Sequence, residues 1–298
     1  MRGLIVLLCV AVLAGCQSAE TGSSPELAAA PAAAAEPILP LQPVPAVAHR
    51  AYASIVVDGK TGKILEEDDA TSPRYPASLT KMMTLYLVFE QLSSGRWTPQ
   101  TALTVSAEAA SRPPAKLGVR AGSTIPVDTA VRALAVRSAN DVAVVIAENI
   151  AGSEDAFARR MTAKARALGM SRTSFVNASG LPDDRQYTTA RDIAILGKAL
   201  HDRFPQYFKY FSTREISYGG RTWKNTNKLL TKVDGVNGIK TGYIRDSGFN
   251  LCASVERDGK HIIAVVLGGK SGASRNAQME KLIEEYLPQA SGGSIFGF

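Results

Sequence analysis

The apolar period of this chain changes twice, and that change restricts the fold more than any other feature. Ala53-Ser54-Ile55-Val56-Val57 and Ile64-Leu65 read as strands flanking Asp58-Gly59-Lys60-Thr61-Gly62-Lys63, a hairpin with glycine-containing turn chemistry. The middle of the chain then takes on a helical period. Strand patterns return at 238–242, 250–255 and 261–267, the last two joined by Asp258-Gly259. Strands from both ends of a chain with helices between them must pair across a long insertion. This predicts an α+β fold, an antiparallel sheet flanked by helices with an all-helical insertion lobe.

Within the middle, residues 79–92 are apolar almost all round (Met82, Met83, Leu85, Leu87, Val88, Phe89), which predicts a helix buried on most sides. Asp128 is expected to cap a helix running through Val136, and Asn140 or Asp141 to cap the next, through Ile150. Residues 154–168 form a third helix stopped by Gly169, Thr189 opens a fourth that runs to about Asp202, and a last one spans about 273–286.

The N-terminus reads as an export signal. Arg2 precedes an apolar run from Leu4 to Leu13, too short to span a bilayer, that ends in Leu13-Ala14-Gly15-Cys16. Residues 1–15 are therefore expected to be a lipoprotein signal peptide, with Cys16 lipidated after cleavage. The Ala- and Pro-rich stretch from Gln17 to about Ala48 cannot bury enough apolar surface to fold alone and reads as a tether. Gln17 after the lipidated Cys favours an outer-membrane, periplasm-facing anchor. Residues 49–290 are left as the folded domain and 291–298 as a flexible tail. The whole chain carries a net charge of +7, of which the signal holds only Arg2. Such a basic surface suits carboxylate-rich cell-wall peptides, and without a clustered basic stripe it gives no support for nucleic acid. Export leaves Cys252 as the one cysteine of the domain, in an apolar segment that reads as a small buried position.

Three short motifs carry chemistry. Ser78-Leu79-Thr80-Lys81 places a lysine one helical turn from a serine, and a buried lysine kept neutral can take the proton of a serine hydroxyl. Ser138-Ala139-Asn140 falls in the break between two helices, where the same residues could serve as caps. Lys240-Thr241-Gly242 lies on a strand, where glycine permits close approach of a ligand and the lysine can hold a carboxylate. Lys60-Thr61-Gly62 and Ser274-Arg275-Asn276 repeat two of these patterns, the first in a hairpin turn and the second near a C-terminal helix. Only Ser78, Ser138 and Lys240 stand in the order S-x-x-K, S-x-N, K-T-G.

The chain resembles the low-molecular-mass penicillin-binding D-alanyl-D-alanine carboxypeptidases over residues 53–269. The likeness rests on Pro76-Ala77-Ser78-Leu79-Thr80-Lys81-Met82-Met83-Thr84, Ser138-Ala139-Asn140-Asp141-Val142-Ala143, Thr173-Ser174-Phe175-Val176-Asn177 and Gly238-Ile239-Lys240-Thr241-Gly242-Tyr243. It implies the β-lactamase/transpeptidase-like fold and an acyl-enzyme on Ser78. By resemblance Lys81 takes the Ser78 proton, Ser138 relays protons to the leaving group and Asn140 orients the substrate amide. Lys240, Thr241 and Gly242 bind the terminal D-Ala, and the N–H groups of Ser78 and Tyr243 form the oxyanion hole. The implied partners are peptidoglycan stem peptides, β-lactams as covalent inhibitors, and a membrane through the lipid. Some members carry His where Ser179 precedes Gly180-Leu181 here.

Cross-link endopeptidase, β-lactamase or esterase chemistry could use the same residues, and a wall-binding protein that has lost catalysis is a fourth reading. Around residues 177–184 Asp183 and Asp184 occur but no Glu of the class A β-lactamase kind. His49, His201 and His261 are scattered, without metal-ligand spacing, so neither metal nor cofactor is expected.

Overall fold

A computed structural model describes residues 46–47 and 50–292. The signal, Cys16, His49 and the tail beyond Gly292 lie outside these residues. In chain order the elements are strands β1 (Ala53–Asp58) and β2 (Ile64–Asp68), helix α1 (Thr80–Ser93), β3 (Ala102–Thr104), α2 (Ala107–Ser111), β4 (Thr124–Pro126) and α3 (Val127–Arg132). A π turn (Ala133–Arg137) leads to α4 (Asn140–Ala151), α5 (Glu154–Ala167), α6 (Ala190–Arg203) and α7 (Pro205–Phe208). The chain closes with β5 (Glu215–Tyr218), β6 (Arg221–Lys224), β7 (Val236–Ile244), β8 (Gly248–Arg257), β9 (Lys260–Gly269) and α8 (Gly272–Tyr286).

The five-stranded sheet runs β2-β1-β9-β8-β7, and each neighbouring pair is antiparallel. The N-terminal hairpin thus pairs with the C-terminal strands across the helical middle, as the changes of period predict. The two hairpin turns have chemical causes. In the first, Asp58 Oδ1 accepts the N–H groups of Lys60 and Thr61 at 2.9 and 2.8 Å. In the second, Asp258 and Gly259 both take positive φ, 52° and 69°, the backbone of a two-residue type I′ turn.

Alternate residues of β1, β8 and β9 serve two cores, because successive side chains of a strand point to opposite faces. Ile55, Val57, Cys252, Ile263, Val265 and Leu267 face α1, α6 and the helical lobe. Val56, Leu251, Ala253, Val255, Ile262 and Ala264 face α8, where Met279, Leu282 and Ile283 meet them. Helix α1 has eleven of its fourteen residues buried, which is why it is apolar on every side. Cys252 is fully buried, and burial pushes its thiol pKa up, so it behaves as a small core residue.

Some local expectations need correction. Asp128 does not cap α3: Pro126 is the N-cap, and Asp128 pairs with Arg132 and accepts the Tyr210 hydroxyl at 2.7 Å. That helix passes into the π turn and ends at Arg137. Neither Asn140 nor Asp141 caps α4; the N-cap is Ala139. Both side chains are used elsewhere, Asp141 accepting the N–H groups of Leu117 and Gly118 at 2.9 and 2.8 Å. The lobe also contains the two-stranded β3–β4 sheet, and β5–β6 forms a second such sheet. Strands of three or four residues are too short to leave a periodic signal.

The histidines are not all scattered in space. The rings of His201, late on α6, and His261, on β9, lie 4.1 Å apart. His261 Nε2 also bonds Ser254 Oγ at 2.9 Å, and Gly59 packs on the ring so closely that a Cβ there would sit 2.0 Å from Nδ1. Burial, then the neighbouring His201, lowers the His261 pKa to about 4. The unfolded chain takes up this proton near pH 6.5, before the folded one does, so stability falls as pH drops from there to about 4. The full difference is at most about 3 kcal/mol. Thermal denaturation should show wild type losing its advantage over His261→Gln across this window. A constant advantage from pH 7 to 4 would contradict a neutral, buried His261.

Candidate active site

The three motifs converge at the N-terminus of α1. The chain enters through a 3₁₀ turn (Ala77–Leu79), in which Ala77 is held at φ 49°, a conformation that L-residues rarely adopt. Two contacts hold it there. Asn250 of β8 donates from Nδ2 to the carbonyls of Tyr75 and Pro76 at 3.0 and 3.2 Å, tying the entry to the sheet. Gly180, at φ 83°, packs directly on the Ala77 carbonyl; an added Cβ would lie 1.8 Å from that oxygen. No other residue fits there without moving the segment that carries Ser78.

Lys81 sits in the first turn of α1 and is 0 % exposed. Its Nζ lies 3.3 Å from Ser78 Oγ, 2.8 Å from Asn140 Oδ1 and 2.5 Å from the Ser179 carbonyl. Burial, then the positive charge of Lys240, drives its pKa well below that of an ordinary lysine, while Glu154 and Asp141 pull the other way. The geometry suits the neutral amine. Nζ donates to two neutral acceptors, Asn140 Oδ1 and the Ser179 carbonyl, and its third neighbour, Ser78 Oγ, is neutral too, so no carboxylate holds a proton on the amine by direct contact.

Ser138 follows the π turn at φ 60°. Its hydroxyl is buried and has no hydrogen-bond partner among the described residues. Asn140 opens α4 one residue further and donates from Nδ2 to Pro113 O at 3.3 Å, so its amide links Lys81 to the 113–118 loop.

The third side of the site is β7. Gly242 lies against the nucleophile turn, where a Cβ would meet Ser78 N at 3.1 Å and Pro76 O at 3.2 Å. This close approach brings residue 242, and with it the neighbouring Tyr243, alongside the Ser78 amide. Lys240 is buried, donates to its neighbour's carbonyl, Thr241 O, at 2.9 Å, and has its pKa lowered to about 7 by burial and then by Arg275. Thr241 Oγ1 lies 2.7 Å from Thr226 Oγ1. Tyr243 is exposed, with its ring 4.3 Å from that of Phe249.

Direct contacts thus join Lys81 to Ser78 and Asn140 and set Gly242 against Ser78, and Lys240 is close enough to act on Lys81; Ser138 stands two residues before Asn140, and Thr241 and Tyr243 flank Gly242 on β7. Lys60 stays in the β1–β2 turn, and Ser274 completes a capping box with Ser271 at the start of α8. Sequence reasoning did not single out the supporting residues. Asn177 Oδ1 accepts the N–H groups of Ser179 and Gly180 at 3.2 and 2.7 Å, fixing the carbonyl that Lys81 uses. Glu154 accepts the Ala178 N–H at 3.0 Å and pairs with Arg112 at 2.9 Å. Asn177 acts through a local turn, whereas Glu154 acts across 24 residues, a gap that no short motif spans. Among the described residues no group of three or more His, Cys, Asp or Glu could hold a metal ion.

Comparison with known proteins agrees with this geometry. Residues 40–271 match the family model described as D-alanyl-D-alanine carboxypeptidase, Peptidase_S11. The chain is 34% identical over 243 residues to the D-alanyl-D-alanine carboxypeptidase DacF of Bacillus subtilis, a match covering 80% of this chain and 62% of that one. The crystal structure of DacD from Francisella tularensis superposes with a TM-score of 0.76 at 29% identity, covering 84% of this chain and 73% of the other. Penicillin-binding protein D2 from Listeria monocytogenes, in its cefotaxime-bound form, gives 0.68 at 29% identity, covering 80% and 98%. The chain spans about three fifths of the length of the first curated relatives it matches. On its motifs, its fold and the extent of the family match, this chain belongs to the D-alanyl-D-alanine carboxypeptidase family, Peptidase_S11.

Proposed function

We propose that the protein is a serine D-Ala-D-Ala carboxypeptidase that trims peptidoglycan stem peptides through an acyl-enzyme on Ser78. The observation that carries this reading is the Lys81 amine, buried, with two neutral acceptors for its hydrogens and Ser78 Oγ as its third neighbour. Ser78 Oγ attacks the carbonyl carbon of the penultimate D-Ala as its proton passes to Lys81. The N–H groups of Ser78 and Tyr243 receive the oxyanion. Collapse of the tetrahedral intermediate breaks the C–N bond, and the unpartnered Ser138 hydroxyl gives its proton to the departing amine while taking back the one that Lys81 received from Ser78. Asn140 orients the acyl side, and Lys240 and Thr241 hold the carboxylate of the leaving D-Ala. Water then hydrolyses the ester and restores both residues. β-Lactams are expected to acylate Ser78 in the same way; the cefotaxime-bound Listeria neighbour supports this.

D-Alanine release from a pentapeptide ending in D-Ala-D-Ala should disappear in Ser78→Ala and fall about 10²–10⁴-fold in Lys81→Ala, the range for loss of a general base. Undiminished release in either variant would overturn the assignment. No release from wild type that still labels with a fluorescent penicillin would redirect the reading to cross-linked substrates.

We also propose that the protein is an exported lipoprotein held on a membrane, the outer membrane favoured, through Cys16. Support comes from the Leu13-Ala14-Gly15-Cys16 sequence after a short apolar run. Radiolabelled palmitate should enter the wild-type protein in cells and not Cys16→Ser. Equal labelling of the two would sink this reading.

A further inference from the structure

The proposed reaction needs a positive charge where the leaving D-Ala carboxylate lies, and Lys240 supplies part of it. It is buried, its amine is already engaged by Thr241 O at 2.9 Å, and burial and then Arg275 lower its pKa to about 7. A second cationic side chain stands beside the same motifs. Arg137 immediately precedes Ser138. The carbonyl of its other neighbour, Val136, accepts the Thr226 N–H at 3.4 Å. Thr226 in turn bonds Thr241 through its hydroxyl at 2.7 Å. The peptide between Val136 and Arg137 is therefore two hydrogen bonds from the Thr241 hydroxyl.

The Arg137 side chain is held but not neutralised. Its guanidinium carbon lies 5.8 Å from the centre of the Trp223 ring, on the β5–β6 hairpin. Its Nε makes one long contact, 3.5 Å, to the Lys116 carbonyl of the 113–118 loop. Among the described residues neither terminal nitrogen has a hydrogen-bond partner and no carboxylate pairs with it. The planar fork is thus available to an incoming carboxylate, which it can meet with two parallel N–H bonds.

Resting on the carboxypeptidase reading, we infer that Arg137 is a specificity-determining residue that pairs with the free α-carboxylate of the leaving D-alanine and makes the enzyme prefer chains ending in D-Ala-D-Ala acid over amidated or extended ones. Trp223 positions it from beneath.

The test measures binding separately from turnover. In the Ser78→Ala protein, acetyl-D-Ala-D-Ala and its C-terminal amide are titrated by calorimetry. The acid should bind about tenfold more tightly than the amide, roughly one charge-assisted contact. Adding Arg137→Gln should cut this ratio to about two- to threefold, the share left to Lys240 and Thr241, and Arg137→Lys should restore part of the loss. The same ratio should appear in kcat/KM for the two peptides with Ser78 intact. A ratio that stays near tenfold in Arg137→Gln overturns the inference, as does equal weakening of acid and amide, which would mark a structural role. If the acid/amide ratio in binding responds to Arg137 while no peptide is cleaved, the carboxypeptidase reading fails and the carboxylate site stands.

Discussion

The burial of one lysine beside one serine is the constraint from which the rest of the site follows. A lysine amine in water is protonated and cannot act as a base. Burial of α1 on nearly every side, and then the nearby cation Lys240, push the Lys81 amine toward its neutral form. Burying an unpartnered amine would itself be costly, so its two hydrogens need acceptors. Asn140 Oδ1 and Ser179 O provide them without adding negative charge. The arrangement thus lacks the carboxylate contact that would hold a proton on the amine.

The fold supplies those acceptors from distant parts of the chain. Asn140 comes from the helical lobe, at the start of α4. Ser179 comes from a loop whose backbone is fixed by Asn177 and Glu154. Asn250 ties the nucleophile turn to the sheet, and two glycines, 180 and 242, let that turn be approached from both sides. The strain at Ala77 is held by these contacts, which place the Ser78 amide beside β7. β7 pairs with β8, the strand that carries Asn250, so neighbouring strands of one sheet hold the Ser78 turn and face it.

Much of this was legible in the sequence. The sheet hairpins, the all-round apolar α1, and Thr189 at the start of α6 follow from period and turn chemistry. Ser78, Lys81, Ser138, Asn140 and Lys240 follow from motif order. What could not be read are contacts set by tertiary structure. Asp128, Asn140 and Asp141 have the side chains of helix caps, and a local rule assigns them so. The lobe instead gives each a distant partner: Tyr210, Lys81 and the Leu117 amide. His201 and His261, sixty residues apart, meet only because α6 packs on β9. The roles of Asn177, Glu154 and Asn250 depend likewise on loops whose placement no spacing encodes.

The central claim is that Lys81 is a neutral amine in the resting protein at neutral pH. Nitrogen-15 NMR of the lysine-labelled full chain, with Lys81 assigned by comparison with Lys81→Ala, tests it directly. A Lys81 side-chain resonance already at the neutral-amine position at pH 7, and gaining its proton only on acidification, is the predicted result. A resonance that remains that of an ammonium up to pH 9 would contradict the account, because Ser78 would then have no base.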